Sequence, residues 1–127
     1  MSHTEIRHSY YPKATIPVVE GTSTLRDALL LMNDRELGFC IVEDHNGVVI
    51  GVFSDGDLRR KLVDMNINFT ALMLTDMSDL CSAPFQFTES EDRIIEKFND
   101  GFIGELPHLD ADGRLLGLFR LLRIRGI

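Results

Sequence analysis

Asp44-His45-Asn46-Gly47-Val48-Val49-Ile50-Gly51-Val52-Phe53 is answered 66 residues later (110 − 44) by Asp110-Ala111-Asp112-Gly113-Arg114-Leu115-Leu116-Gly117-Leu118-Phe119. In both stretches an aspartate and a turn glycine precede an apolar run that holds a second glycine and closes on phenylalanine. Carrying the same offset outward without a gap adds Thr22, Asn33, Asp34, Gly38 and Arg59 against Thr88, Asn99, Asp100, Gly104 and Arg125. Four identities in the quoted stretch and five outside it make nine over the 49 pairs of residues 13–61 and 79–127, where average usage gives about three by chance. Apolar positions agree as well, since Ala28, Leu29 and Met32 meet Ile94, Ile95 and Phe98. The chain is a duplication.

Each copy reads as strand, helix, strand, turn, strand, helix. In the first, Thr15–Val19 is a short apolar strand, and Gly21-Thr22-Ser23-Thr24 forms a turn and a helix start. Leu25, Ala28, Leu29 and Met32 recur at i, i+3, i+4 and i+7, one apolar helical stripe. Gly38 suits a left-handed position that terminates the helix. Phe39–Glu43 is the next strand, Asn46-Gly47 signals a hairpin turn, Val48–Phe53 is the third strand, and Ser54-Asp55-Gly56-Asp57 opens a helix to about Met65. In the second copy Leu80–Phe87 is the strand, and Thr88-x-x-Glu91 is a capping box before a helix over 91–102. Leu106–Leu109 and Leu115–Phe119 form the second hairpin, and the aligned last helix is a stub that stops at Ile127. The chain divides into an N-terminal arm (1–13), a first repeat (14–65), a linker (66–79) expected to pack on the core, and a second repeat (80–127). The arm carries His3, His8, Tyr10 and Tyr11 without periodicity. It is expected to be extended and dispensable, its loss costing less than about 1 kcal/mol. Neither copy, at about 50 residues, buries both a hairpin and a helix alone. The expected fold is therefore α/β (α+β), with two pseudo-symmetric β-α-β-β-α repeats packed sheet to sheet and a ligand cleft between them.

Charge and composition disfavour several functions. The 127 residues carry 13 Lys and Arg against 20 Asp and Glu, a net charge of −7, so a basic face for nucleic acid is not expected. No run of about 20 apolar residues occurs, so neither a membrane span nor a signal segment is expected, and the cytoplasm is the simplest location. Two cysteines, Cys40 and Cys81, make no disulfide framework and read as small buried hydrophobes. His3, His8, His45 and His108 have no metal-ligand spacing with them, so no metal site is expected. His108, after Pro107, reads as a satisfied sheet histidine. No nucleophile elbow, P-loop or Cys/His pairing is present, and catalysis is not expected.

The chemistry concentrates in Ser54-Asp55-Gly56-Asp57-Leu58-Arg59-Arg60, where a strand hands over to a helix. Free amides at a helix start and the helix dipole favour an anion such as phosphate. Ser54 adds a hydroxyl, Gly56 lets a ligand approach the backbone, Asp57 suits paired sugar hydroxyls, and Arg59, Arg60 and Lys61 supply countercharge. The competing reading is structural: Ser54-x-x-Asp57 is also a capping box, worth about 1 kcal/mol without any ligand.

The duplicated order, with Gly51-Val52-Phe53-Ser54-Asp55-Gly56-Asp57 after the third strand, resembles the cystathionine-β-synthase-type (CBS) domain pair over roughly residues 14–127. That family shows Gly, two apolar residues, Ser or Thr, two free positions and Asp at this point. The resemblance implies a regulatory module that binds an adenosyl or other nucleotide between the repeats and forms a homodimer. It places Thr15, Ile16, Pro17, Ser54, Asp55, Gly56, Asp57, Arg59, Arg60 and Arg120 around a ligand of AMP, ATP or CMP-sugar type, with no cofactor required. Ile16-Pro17-Val18-Val19, Ser23-x-Leu25-Arg26-Asp27-Ala28-Leu29 and Phe53–Arg60 are similar to the CBS pair of arabinose-5-phosphate isomerases. CBS pairs of sugar nucleotidyltransferases carry a similar Asp-Gly-Asp-x-Arg-Arg string, so the implied role is control of an attached or partner enzyme of either kind. The second copy departs from the pattern, with Arg120 for the Ser/Thr and Arg123 for the Asp. Its face is either bare structure or a cationic wall (Arg114, Arg120, Arg123, Arg125) toward phosphate in the first site. The alternative to a ligand-binding module is a non-catalytic dimerisation module whose site has decayed.

Overall fold

A computed structural model describes residues 4–64, 66–82 and 104–125. Among them the order is β1 (Thr4–Pro12), a 3-10 turn (Lys13–Thr15), β2 (Val18–Glu20), α1 (Leu25–Arg35), β3 (Phe39–Glu43), β4 (Val49–Ser54), α2 (Asp55–Val63), α3 (Phe69–Met73), α4 (Met77–Leu80), β5 (Glu105–Leu109) and β6 (Leu115–Arg125). They form two three-stranded sheets, β2-β3-β4 and β1-β6-β5. Only β2 and β3 run parallel.

The duplication holds to the residue. β3 and β5 begin and end 66 apart (39 to 105, 43 to 109), and β4 and β6 start 66 apart (49 to 115). The register shift at Val42/Glu43 recurs at His108/Leu109. The turns match atom for atom: Asp44 Oδ1 accepts the N–H groups of Asn46 and Val48 at 2.8 and 3.0 Å, and Asp110 Oδ1 accepts those of Asp112 and Arg114 at 2.9 Å each. Gly47 and Gly113 both stand at φ +81, a conformation glycine adopts without steric cost. The two turns meet, since the Val49 N–H donates to the Gly113 carbonyl and the Arg114 guanidinium to that of Asn46.

Thr24 starts α1 with a capping box in which its hydroxyl accepts the Asp27 N–H and Asp27 accepts the Thr24 N–H. Leu25, Ala28 and Met32 of the expected stripe are buried. The helix ends earlier than expected. Glu36, not Gly38, takes the left-handed conformation (φ 55), because the Glu36 and Leu37 N–H groups close on the Met32 and Asn33 carbonyls there. The first strand also shifts, to Val18–Glu20, as the Ile16 N–H and Thr15 hydroxyl fold back onto Lys13 and Pro12.

β3 separates two cores. Cys40 and Val42 pack with Val19, Leu25, Ala28, Met32, Phe53, Leu72 and Met77. Phe39 and Ile41 pack with Ile16, Val49 and Val52 and with Leu109, Leu115 and Leu118 of the second repeat. Leu72 and Met77 come from α3 and α4, so the linker packs on the core as expected. Cys40 is buried and Cys81 half-buried, and both are free thiols. Of the expected strand 80–87, Leu80 ends α4 and Ser82 bridges to Val52. Residues 83–87, the Thr88 capping box and the helix over 91–102 lie outside the described residues.

Two expectations are overturned at the chain's ends. The arm is a strand: β1 pairs antiparallel with β6 from Thr4↔Arg125 to Pro12↔Gly117. The Tyr10 ring lies 4.8 Å from that of Phe119, and its hydroxyl crosses Gly117 to stand 3.0 Å from His108 Nδ1 on β5. A Cβ at Gly117 would collide with that hydroxyl and come within 2.8 Å of the Tyr11 carbonyl. Tyr11 turns its ring edge to Phe39 between the sheets, with centroids 5.7 Å apart. The second reversal is the last helix. Residues 120–125 continue β6, because Arg120 cannot cap a helix as Ser54 does and β1 offers a strand to pair with. Deletion of residues 1–12 strips the sheet to β5 and β6, a pair marginal on its own. The truncated chain is expected to lose more than about 2 kcal/mol, read as a collapsed or sharply lowered thermal transition; an unchanged melt refutes the role of β1.

Candidate ligand site at the start of helix α2

Strand register gathers the candidate residues at one end of the first sheet. Ser54 is the partner of Phe39 on β3. β2 runs parallel to β3 with Val18 opposite Ile41, so Ile16 stands level with Phe39, and the Pro17 carbonyl accepts the Ile41 N–H at 2.9 Å. Thr15–Pro17, Phe39 and Ser54 thus form a row across the sheet end from which α2 departs. Ile16 and Pro17 are buried and Thr15 is exposed.

The capping box expected at Ser54 is formed. The Ser54 hydroxyl accepts the Asp57 N–H at 3.3 Å, and Asp57 Oδ2 accepts the Ser54 N–H at 2.9 Å and its hydroxyl at 3.1 Å. Asp57 Oδ1 takes the Arg60 guanidinium. Arg60 is largely exposed (65%) and Asp57 is not (18%), so Arg60 can swing away while the carboxylate stays fixed. Its outer oxygen then has acceptor capacity for another donor. Asp55 is exposed, and its N–H donates to the Gly38 carbonyl at 2.8 Å. A Cβ at Gly38 would meet the Asp55 carboxylate, the end of an exposed side chain that can turn aside. At Gly56 a Cβ would be in ordinary contact with Arg60 and Ser54. Arg59 is exposed on α2. Beside Gly38 and Asp55 a groove of about 460 Å³ opens, with Leu29, Met32 and Leu37 as its apolar lining and Asn33 and Glu36 at its edge.

The opposite wall comes from the second sheet. The Arg120 guanidinium stands 5.7 Å from the centre of the Phe39 ring and 3.9 Å from Glu105, its strand partner on β5. Burial pushes the Glu105 carboxyl above the usual range; Arg120 opposes the rise, and Asp57 and Asp55 add to it. The charges at the start of α2 therefore act on Glu105. Sequence reading missed it, since an acidic residue opening a strand carries no motif. Arg114 does not join this wall. It lies six residues before Arg120, just ahead of β6 and about 20 Å away, beside Asn46 and Asp112. The side chains of Arg123 and Arg125 lie outside the described residues. Cys40 is no nucleophile: burial first, then Cys81 and Asp57, push its thiol up to about 12. Among the described residues no group of His, Cys, Asp and Glu could hold a metal ion.

With this geometry in place, comparison with known proteins is informative. The sequence pattern of the CBS domain family matches residues 9–64, from β1 through α2. That stretch is a CBS domain. Arabinose 5-phosphate isomerase KdsD of Escherichia coli (strain K12) is 42% identical over 62 residues, 49% of this chain and 19% of that enzyme. KdsD of Pseudomonas aeruginosa is 32% identical over 104 residues, 82% of this chain and 31% of the enzyme. The chain thus spans a third or less of the length of these relatives. The crystal structure of CBSX2 in complex with AMP superposes with a TM-score of 0.70 at 23% identity, covering 85% of this chain and 83% of that one. The fold is that of a CBS pair.

The capping box itself sets an expectation for stability. Ser54→Ala removes the acceptor for the Asp57 N–H and should cost about 1 kcal/mol, whereas Asp57→Asn keeps an acceptor oxygen and should cost a few tenths. Chemical denaturation of both variants checks the order.

Proposed function

We propose that this CBS pair is a non-catalytic regulatory module that binds an adenosyl or other nucleotide, sugar nucleotides included, between its repeats at the start of α2. The observation that carries the reading is the convergence at one sheet end of Thr15–Pro17, the capped start of α2 with Asp57, and Arg120 from the opposite sheet. Asp57 takes ribose hydroxyls through its outer oxygen once Arg60 turns away. Arg60 and Arg120 take phosphate through paired bonds at the start of α2, where the helix dipole favours an anion. Arg59 supplies countercharge from the exposed face of α2. The AMP bound to CBSX2 supports the ligand class. The KdsD relatives support a role in controlling an attached or partner sugar-phosphate isomerase, a nucleotidyltransferase being the other enzyme of this kind.

We place the protein in the cytoplasm as a homodimer, with nucleic acid and membranes absent from its partners. No helix among the described residues is long and apolar enough to cross a membrane. Leu30 on α1 and Leu62 and Val63 on α2 are exposed apolar side chains that a second copy would cover. Light scattering should return twice the 14.4 kDa chain mass.

One observation favours a second reading, a dimerisation module with a decayed site: both Asp57 oxygens already have partners, and Arg120 faces Glu105. Thermal-shift screening with AMP, ADP, ATP, S-adenosylmethionine and CMP-sugars separates the two. A ligand at 100 times its Kd adds about 2.7 kcal/mol of stability, and silence across the whole set supports the second reading. With a ligand identified, Asp57→Asn should weaken binding tenfold to a hundredfold, and Arg120→Ala should weaken phosphorylated ligands but not nucleosides.

A further inference from the structure

Glu105 and Arg120 occupy in the second repeat the places that Phe39 and Ser54 occupy in the first (105 − 66 and 120 − 66). Both are strand partners, Phe39↔Ser54 and Glu105↔Arg120. An apolar side chain and a hydroxyl on one wall are thus replaced by two opposite charges on the other. The Glu105 side chain is 18% exposed and that of Arg120 is 43% exposed, so the acid is the confined member of the pair. The charged groups that act on Glu105 among the described residues are Arg120 from β6 and Asp55 and Asp57 from α2. Arg120 is the cation among them.

We propose that Glu105 and Arg120 form an exchangeable lock on the nucleotide site: the phosphate of a bound nucleotide takes Arg120 over from Glu105, and the released carboxylate takes up one proton from solvent. This rests on the nucleotide reading above and adds its regulation by phosphate and pH. A phosphomonoester is a stronger partner for a guanidinium than a carboxylate 3.9 Å away, because it offers more oxygens and more charge for paired bonds. Once Arg120 has turned, a confined carboxylate is left under the like charges of Asp55 and Asp57 and of the incoming phosphate. Like charges so placed are not all ionised together, and protonation of Glu105 relieves the repulsion. No covalent bond changes; the proton moves from solvent to the Glu105 carboxylate as phosphate binds. The lock selects phosphorylated nucleotides over nucleosides, and it loosens as pH falls.

Calorimetry of the intact chain tests this at about pH 7.5, where AMP is a dianion, with AMP and adenosine in PIPES and in Tris. These buffers differ widely in ionisation heat. Proton uptake makes the AMP heat differ between them and leaves the adenosine heat unaffected. Glu105→Gln removes both competitor and proton acceptor, so it should bind AMP roughly tenfold more tightly with equal heats in the two buffers. Equal AMP heats for the natural chain overturn the lock and leave nucleotide binding standing. Uptake that persists in a folded Glu105→Gln variant overturns it too. If neither AMP nor adenosine binds, the nucleotide reading falls, and the lock with it.

Discussion

β3 has no face to give to water. Phe39, Cys40, Ile41 and Val42 are all buried, although strand neighbours point to opposite sides of the sheet. One side must be covered by α1 and the linker helices, and the other by the hairpin of the second repeat. Burial of each such side chain is worth about 1.5–3 kcal/mol. Exposing either face would therefore cost a large part of the 5–15 kcal/mol by which domains are stable. Neither repeat is self-sufficient, and the candidate site lies at the rim of the contact that this shortage forces between them.

The two halves then diverge at a single kind of position. Ser54 stops β4 because its hydroxyl offers the next amides an acceptor, and a helix follows. At the matching place Arg120 offers no acceptor at all, and strand continues to Arg125 with β1 alongside. A duplicated scaffold that could carry two equivalent helix starts carries one, opposed by an ion pair. The asymmetry of the cleft is thus the asymmetry of one capping residue.

Much of this was legible in the sequence, and what was not has common causes. The offset of 66 residues predicted the paired hairpins, their glycine turns and the α1 stripe, all of which depend on local spacing. The Ser54/Asp57 capping box was legible for the same reason. β1 was not, since the signal that makes Tyr10 and Tyr11 structural is a glycine on β6 more than 100 residues away. The extension of β6 was hidden because alignment carried a helix onto residues whose local chemistry had changed. A left-handed helix end points to Gly38 by general preference, whereas Glu36 takes that conformation two residues earlier. Glu105 gains its meaning only from what the fold sets opposite it.

The pairing of β1 with β6 joins residues 105 to 121 positions apart (117 − 12 and 125 − 4). Since β1 precedes β6 in the sequence, it is made earlier and must wait unpaired until β6 has been made. Closing so long a loop is slow relative to local pairing. During synthesis the tyrosine-bearing strand is an open edge for much of the chain's length, the situation in which partly folded chains associate wrongly. The same long span makes the second sheet cooperative, because β1 joins it only once β6 is present.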